Sequence, residues 1–278
     1  MSQYAWMGKR ETETTVDGMG MLDVERRQRV VDFIDQNGRA TVDELSRRFG
    51  VSPATARRDL VHLSQRGLIE RAHGGAIPRR VRHDQGLAEL PVPSRIALHS
   101  EEKRRIGRAA ANHVRNGDVV IISAGTTTAE MAPHLAHHQG LTVLTNALNV
   151  ATMLTAYRDI TVVVLGGVLH HDQLSVSGAL TEDALKNLRA DKLFMGIPAL
   201  HVDYGLSAAD LTEVQGARAL IAAANDVFVL CDHTKFGKVA TMRVAPVEAA
   251  SCIITDDGTA PAELDALRAR GVRVNVAR

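Results

Sequence analysis

The chain has 278 residues, enough for one large domain or two smaller ones, and its 45% hydrophobic and 23% charged residues are ordinary for a soluble globular protein. Its two cysteines, Cys231 and Cys252, lie in apolar strand-like runs, which argues against a disulfide framework or a metal site and for buried thiols. The N-terminus lacks the apolar core of a signal peptide and no apolar run reaches the length of a membrane span, so we expect a cytoplasmic protein without a membrane partner.

Positive charge is concentrated near the N-terminus. The whole chain has a net charge of +1, whereas residues 22–80 contain 12 arginines, no lysine and 8 acidic residues. A basic first quarter followed by a nearly neutral body is typical of a nucleic-acid-binding module. A solvated helical surface has the same composition, and charge alone leaves both interpretations open.

The first 99 residues have three predicted parts. Residues 1–20 are polar and without periodicity, so we predict a disordered extension. Residues 21–78 have the pattern of three short helices followed by a β-hairpin, which turns at the His-Gly-Gly of 73–75. Residues 79–99 contain two prolines, mixed charges and weak periodicity, and we predict a linker there.

The third predicted helix has a face suited to DNA. It begins at Ser52 and Pro53, a typical N-cap and first helical residue, and Ala56, Leu60 and Leu63 form one apolar seam. The residues outside this seam are small, polar or basic: Ala54, Thr55, Arg57, Arg58 and His62. Small residues permit close approach to a major groove and arginine binds guanine edges or phosphates, so the pattern indicates a helix-turn-helix. The alternative is a helical bundle with solvated arginines.

The following hairpin is then predicted to be a wing, with Arg71 and His73 near phosphate or the minor groove. The stretch ERRQRVVDFIDQNGRATVDELSRRFGVSPATARRDLVHLSQRGLIERAHGGA (25–76) resembles the N-terminal winged helix-turn-helix of the DeoR family of bacterial transcriptional regulators. Ala56 stands where that family usually has isoleucine, so we expect looser packing there. The predicted DNA-binding residues are Ser52, Ala54, Thr55, Arg57, Arg58, His62, Arg71 and His73. Within this set we expect Thr55 and Arg58 nearest the groove floor and Arg57 on phosphate.

From residue 100 to residue 278 strands alternate with helices. Continuous Val/Ile/Leu strands, such as 118–123 and 226–232, are typical of a parallel sheet that is covered on both faces. The segment IISAGTTTAEM (121–131) follows a strand and begins a helix predicted over 126–138. Backbone N–H groups and three threonine hydroxyls at this point suit a phosphate or carboxylate, although a simple helix cap is the alternative.

Other predicted strand ends also carry polar residues or glycines: Asn146, Gly166, Gly167, Gly196, Asp232 and Lys235. Ligands of open α/β sheets bind beyond the carboxyl ends of the strands, so these ends predict a polar pocket. A surface lysine is the alternative for Lys235 taken alone. Because His170 and His171 lie in a predicted loop, a solvated position is their simpler interpretation.

Residues 100–256 resemble the DeoR-type sensor domain throughout, including AGTTTAEMAPHL, LTVLTNALNVA, ADKLFMG and DHTKFG. The resemblance implies a mostly parallel, Rossmann-like α/β sheet similar to sugar-phosphate isomerases, and a phosphorylated sugar or related metabolite as effector. The effector-binding residues that it implies are Ser123, Gly125, Thr126, Thr127, Asn146, Gly166, Gly167, Gly196, Glu213, Asp232 and Lys235. The chain departs from the family at Ser123, where aspartate is common, at Pro198-Ala199 and at Ala217.

The sequence therefore predicts a DNA-binding regulator, a repressor of carbohydrate-metabolism genes whose operator affinity depends on such an effector. The resemblance implies double-stranded operator DNA and the effector as partners and a homodimer or homotetramer, and we predict no cofactor, metal site or catalytic residue. One alternative is a sugar-phosphate isomerase with an added N-terminal domain, in which Glu213 or Asp232 is the base and Lys235 the electrophile. The other is an architectural DNA-binding protein without a ligand.

Overall fold

The computed structural model describes residues 23–37, 39–66, 68–72, 74–78 and 92–278. The chain divides into two compact units, within residues 1–79 and 80–278. The predicted extension 1–20, His73 and the first thirteen residues of the predicted linker lie outside the described residues. The predicted domain boundaries stay a prediction.

The first unit has the three helices and the hairpin that the sequence predicts. Its elements are α1 (Asp23–Asn37), β1 (Ala40–Thr41), α2 (Val42–Phe49), α3 (Pro53–Gln65), β2 (Ile69–Ala72) and β3 (Gly75–Pro78). The two-residue β1, which the sequence analysis missed, pairs with β3 on the side away from β2. A Cβ atom on Gly75 would lie 2.1 Å from the Ala40 carbonyl oxygen, so this close strand approach requires a glycine.

Local hydrogen bonds define the starts of α2 and α3. At α2, the Glu44 backbone N–H donates to the Thr41 hydroxyl and the Thr41 N–H donates to the Glu44 carboxylate, a capping box. At α3, the Thr55 N–H donates to the Ser52 hydroxyl and Pro53 is the first helical residue. The start of α3 predicted at Ser52 and Pro53 is confirmed, and both caps depend on residues that are close together in sequence.

The predicted inward seam of α3 is also confirmed. Ala56, Leu60 and Leu63 are each at most 3% exposed and belong to one core cluster with side chains of α1, α2 and β2. Asp59, which the sequence analysis did not place, is buried on the same side of α3.

The second unit is an α/β fold. Its elements are α4 (Val92–Arg95), α5 (Ser100–Ala111), β4 (Val119–Ile122), α6 (Thr126–Ala129), β5 (Thr142–Thr145), α7 (Leu148–Leu154), β6 (Thr161–Val164), β7 (Val168–His170), β8 (Ser175–Ser177), α8 (Ala179–Lys186), β9 (Ala190–Gly196), β10 (Ala199–His201), β11 (Gly205–Ala208), α9 (Leu211–Ala222), β12 (Ala224–Leu230), β13 (Met242–Ala245), β14 (Cys252–Asp256), α10 (Pro261–Ala269) and β15 (Arg273–Ala277).

Seven of these strands form one sheet in the order β15-β14-β12-β9-β4-β5-β6, and every neighbouring pair is parallel. Separate apolar clusters cover the two faces, one built around Leu193 and Val229 and the other around Phe194 and Phe228. The predicted parallel sheet between two helical layers is therefore confirmed. Cys231 and Cys252 are buried in it, as the sequence predicts.

Three features of this unit differ from the sequence prediction. The helix predicted over 126–138 is wrong: α6 ends at Ala129, and a 3-10 turn follows at Ala132–His134. Pro133 has no N–H to donate to the carbonyl of Ala129, so an α-helix is interrupted there. The hairpin β7–β8 and the antiparallel sheet β10-β11-β13 were not predicted, because their strands are only three or four residues long.

The end of the predicted linker is folded. Residues 92–99 contain the helical turn α4, and the Val92 side chain is 1% exposed. In the part of the chain that the structure describes, none of the helices is long and apolar enough to cross a membrane.

Candidate functional site

The outer face of α3 is the candidate nucleic-acid interface. Ala54, Arg57 and Arg58 are exposed there, as is the N-cap residue Ser52. Thr55 is half-buried, and its hydroxyl lies 2.9 Å from the Ser52 hydroxyl, so it takes part in the cap as well as in the predicted interface. The arginines therefore stand on the first two turns of the helix, on the side away from the core.

A buried ion pair holds α3 against α1 beneath this face. The Asp59 side chain is 3% exposed, and its carboxylate accepts hydrogen bonds from Arg26 Nε at 2.8 Å and Arg27 Nε at 2.7 Å. Burial opposes ionisation of Asp59, but the two arginines outweigh it and hold the pKa of that carboxyl below its usual range. The sequence signal was an acidic residue on the apolar side of α3, one position before Leu60.

The structure describes two of the three remaining predicted DNA contacts. His62 is half-buried in the second half of α3, and Arg71 is exposed on β2 of the hairpin. His73 lies outside the described residues.

A cavity of about 1290 Å³ at the carboxyl ends of β4, β5, β9 and β12 is the candidate ligand site. Most of the predicted effector residues line it: Ser123, Gly125, Thr126, Thr127, Asn146, Gly196, Glu213, Asp232 and Lys235. Gly166 and Gly167 are not among the lining residues. A Cβ atom on Gly167 would lie 2.5 Å from the Ser177 carbonyl oxygen, so a packing requirement explains this glycine.

The threonine loop after β4 differs from the anion-binding loop that the sequence predicts. Thr126 and Thr127 line the cavity, whereas Thr128 is fully buried and its hydroxyl donates to the carbonyl of Ser123 at 2.8 Å. Two threonine side chains instead of three are therefore available to a ligand in the cavity. Since α6 has only four residues, its dipole adds little, and an anion here would depend on individual N–H and hydroxyl groups.

Asn146 joins two loops at the cavity wall. Its Oδ1 accepts from the Ala124 N–H at 3.1 Å, and its Nδ2 donates to the Val176 carbonyl at 3.2 Å. These two hydrogen bonds join the loop after β4 to β8, so any contact of the predicted effector residue Asn146 with a ligand would come in addition to a structural role.

The cavity is also lined by three cationic side chains that were not predicted from the sequence: Arg95, Lys103 and Lys238. Lys103 is the most deeply placed, at 5% exposed, and its Nζ donates to the backbone carbonyls of Arg95 and Leu98. Burial lowers the pKa of Lys103 to about 8, even though the charge of Asp232 acts in the opposite direction. Helical spacing could have predicted the burial of Lys103, because it lies on the same buried face of α5 as Ile106 and Ala110.

Asp232 is the buried anion of the cavity, at 2% exposed. Its carboxylate accepts from the backbone N–H of Thr234 at 3.0 Å and from the Thr234 hydroxyl. Burial opposes ionisation, but these hydrogen bonds and the charge of Lys235 lower the pKa of Asp232 below its usual range. Glu213, by contrast, is exposed in the first turn of α9.

The β7–β8 hairpin completes the wall. His170 and His171 line the cavity, which the sequence alone did not favour, and a ring nitrogen of His170 lies 2.5 Å from the Ser177 hydroxyl. Among the residues that the structure describes, no group of three His, Cys, Asp or Glu side chains is arranged to hold a metal ion.

Comparison with known proteins matches both units to one family. The DeoR-like helix-turn-helix domain matches residues 26–79, and the DeoR C terminal sensor domain matches residues 98–257. Among solved structures, ribose 5-phosphate isomerase A from Methanocaldococcus jannaschii aligns with a TM-score of 0.36 and 16% identity over 50% of this chain and 55% of that chain. Values this low do not support an argument about function.

Relatives match over nearly the full length of both chains. The glycerol-3-phosphate regulon repressor of Escherichia coli (strain K12) is 33% identical over 237 residues, 85% of this chain and 92% of that protein. The HTH-type transcriptional regulator GolR of Listeria innocua is 31% identical over 257 residues, 92% of this chain and 100% of that protein. With both domains present in the same order, this chain belongs to the DeoR family of transcriptional regulators.

Proposed function

We propose that this chain is a transcriptional repressor of carbohydrate-metabolism genes, and that a phosphorylated sugar or related metabolite in the cavity changes its affinity for operator DNA. The observation that carries the proposal is the presence, in one DeoR-family chain, of an exposed arginine pair on α3 and a cavity in the second unit that is lined by Lys103, Asp232 and Lys235. The similarity to the Escherichia coli glycerol-3-phosphate regulon repressor supports both parts.

The DNA-binding part is supported by the construction of α3. Alanine at position 54 leaves room for the helix to approach base edges, while Arg57 and Arg58 supply planar donors that bind guanine or phosphate. The buried Asp59 ion pairs hold this helix to α1, so the arginines project from a fixed scaffold. Arg71 is exposed on the hairpin, and we propose it as a wing contact to phosphate.

The ligand-binding part is supported by the mixture of charges in the cavity. Lys103, Lys235 and the threonine loop supply donors for a phosphate. Asp232 supplies a carboxylate that accepts hydrogen bonds from sugar hydroxyls. A phosphorylated polyol uses both kinds of group, whereas a purely apolar ligand would displace water from these charges without replacing its hydrogen bonds.

We also infer that the chain is a regulator without isomerase activity. A sugar-phosphate isomerase needs a general base whose pKa lies near the working pH. Asp232 is bonded to Thr234 and its pKa is lowered, which makes it a weak base, and Glu213 is exposed. Neither carboxylate has the environment that raises a catalytic carboxyl toward neutrality.

The proposal includes a cytoplasmic homodimer or homotetramer. One helix-turn-helix unit reads one short half-site, so two copies are needed to read the paired half-sites typical of such operators. Residues 79–99 would connect the DNA-binding unit to the effector-binding unit.

The test is selection of bound fragments from genomic DNA by the purified full chain, followed by titration of the selected DNA with and without a panel of phosphorylated sugars that includes glycerol 3-phosphate. We expect a specific site and an effector that changes its affinity about 5-fold to 150-fold. Specific DNA whose affinity responds to none of the panel would support a ligand-independent architectural protein. Turnover of pentose or hexose phosphates would contradict the regulator-only proposal.

A further inference from the structure

One wall of the cavity is built from the first described residues of the second unit. We call residues 92–99 the wall segment. Arg95, Leu98 and His99 of this segment line the cavity, while the Val92 side chain points into the protein and does not. Because the DNA-binding unit precedes it in the chain, the wall segment is the part of the cavity nearest in sequence to α3 and the hairpin.

Specific hydrogen bonds hold the wall segment to the rest of the cavity. The Val92 N–H donates to the Asp172 carbonyl at 2.6 Å, and Arg95 Nη2 donates to Gln173 Oε1. Both acceptors belong to the loop between β7 and β8, which also lines the cavity. The wall segment is thus fixed by groups that surround the ligand space.

Lys103 makes a third attachment of the wall segment to the second unit, and the same side chain lines the cavity. Its Nζ donates to the carbonyls of Arg95 and Leu98, while its side chain lines the cavity. An ammonium group has three N–H donors, so two carbonyl acceptors leave one donor for a ligand. Lys103 is therefore in a position to sense an anion and to hold the wall segment at the same time.

The end of the wall segment has a conformation that few side-chain-bearing residues adopt. His99 has φ 52° in the left-handed region, directly before α5 begins at Ser100. Its ring packs edge-on against His233, with ring centroids 5.2 Å apart. A sparsely populated backbone conformation persists where surrounding contacts hold it, so the junction with α5 depends on the contacts that the wall segment makes.

We propose that the wall segment reports occupancy of the cavity to the DNA-binding unit: a bound anion takes the remaining Lys103 donor, keeps the ammonium charged and strengthens its hold on the Arg95 and Leu98 carbonyls. This inference rests on the proposed function, because it takes the cavity to be the effector site. Without ligand, the lowered pKa of Lys103, about 8, leaves a neutral fraction that holds the carbonyls less strongly. Effector binding therefore orders the wall segment.

The test is hydrogen–deuterium exchange of the full chain at pH 8, in inorganic phosphate and in potassium chloride of equal ionic strength. Peptides covering 121–131 report anion binding at the threonine loop, and peptides covering 92–104 report the wall segment. We expect phosphate to slow exchange in both, by about fivefold in the wall segment. Lys103→Met should abolish the slowing in 92–104.

Val92→Ala tests the wall segment without altering a residue that lines the cavity. It removes two buried methyl groups beneath the segment, and Val247→Ala is a matched control on a different element, since both valines are 1% exposed. In Val92→Ala, phosphate should still slow exchange in 121–131, but the slowing in 92–104 and the effector-induced change in operator affinity should shrink. Val247→Ala should behave as the unaltered chain does.

The outcomes separate the two proposals. If phosphate slows exchange in 121–131 but leaves 92–104 unchanged, the wall segment does not report occupancy, while the cavity remains an anion site. If phosphate slows neither region, the anion site itself is wrong and both proposals fail. An equal loss of coupling in Val92→Ala and Val247→Ala would also contradict this role, because general softening would then explain both.

Discussion

The two units place their polar chemistry in opposite ways. In the first unit, most of the candidate DNA contacts lie on a single helix, α3, and the buried charge of that helix, Asp59, serves packing. In the second unit, the candidate ligand groups come from several strand ends and from α5, and the buried charges Lys103 and Asp232 belong to the cavity itself. Removing a buried charge should therefore unfold the first unit but weaken ligand binding in the second.

The largest expected effect is the loss of stability when the buried charge of the first unit is removed. Asp59→Ala removes the carboxylate that buried Arg26 and half-buried Arg27 share, and breaking a buried pair costs about 3–5 kcal/mol of folding free energy. Hydrogen exchange of the α3 amides in the full chain measures the loss. Exposed Asp32→Ala on α1 is the control and should change stability by less than about 0.5 kcal/mol.

Lowering the pH should cause a similar loss of folding free energy in the unaltered chain. Because the pKa of Asp59 is lower when folded, its stabilisation is present above the ordinary carboxyl pKa and disappears as the pH falls through the folded value. An Asp59→Ala chain that is as stable as Asp32→Ala, at neutral pH, would show that the ion pair contributes nothing.

The next largest effect is the loss of ligand affinity when a buried charge of the second unit is removed. Lys103→Met keeps the apolar stem but removes the charged donor, so affinity for a phosphorylated ligand should fall roughly 10-fold to 150-fold while the second unit stays folded. Calorimetric titration with the effector from the panel measures the loss, and exposed Lys186→Met is the control. Unfolding of Lys103→Met, instead of weaker binding, would erase the distinction between the two units.

The two arginines of α3 should separate base reading from phosphate binding. Arg58→Ala should cost about 1–3 kcal/mol and relax base preference, because we expect Arg58 nearest the groove floor. Arg57→Ala should weaken binding to all sequences and reduce the salt slope by about 1. Operator titrations on matched and mismatched DNA at several salt concentrations measure both, with exposed Arg268→Ala on α10 as the control. Equal loss on every sequence for both variants would contradict the division of roles.

The smallest expected effect is a pH dependence of ligand affinity. Lys103 is charged below its pKa of about 8, so affinity for an anion should decline as the pH rises through that value. The charged groups that act on Lys103 are Asp232, Glu130, Lys235 and Arg95. Titrations between pH 7 and 9 measure the decline, and Lys103→Met should flatten it. A decline of equal size in Lys103→Met would assign the titration to another group.

Much of the first unit was predictable because its determinants are close together in sequence. The capping box at Thr41 and Glu44, the Ser52 cap and the seam of Ala56, Leu60 and Leu63 are local patterns, and the structure contains each of them. The Asp59 ion pair was missed, because its partners lie on α1, 32 and 33 positions earlier. Periodicity shows which face of a helix is buried but does not identify the residues that it meets.

In the second unit, the sequence by itself determined that apolar strands alternate with helices and that several strands end in polar residues or glycines. Parallel strands bring those ends to one edge, so the predicted pocket could be assembled from strand ends alone. Only the tertiary structure decided that Lys103 of α5 and the wall segment face the same space, that Gly167 serves packing, and that Thr128 turns inward. These outcomes depend on contacts between segments distant in the chain and on competing hydrogen bonds, neither of which leaves a local pattern in the sequence.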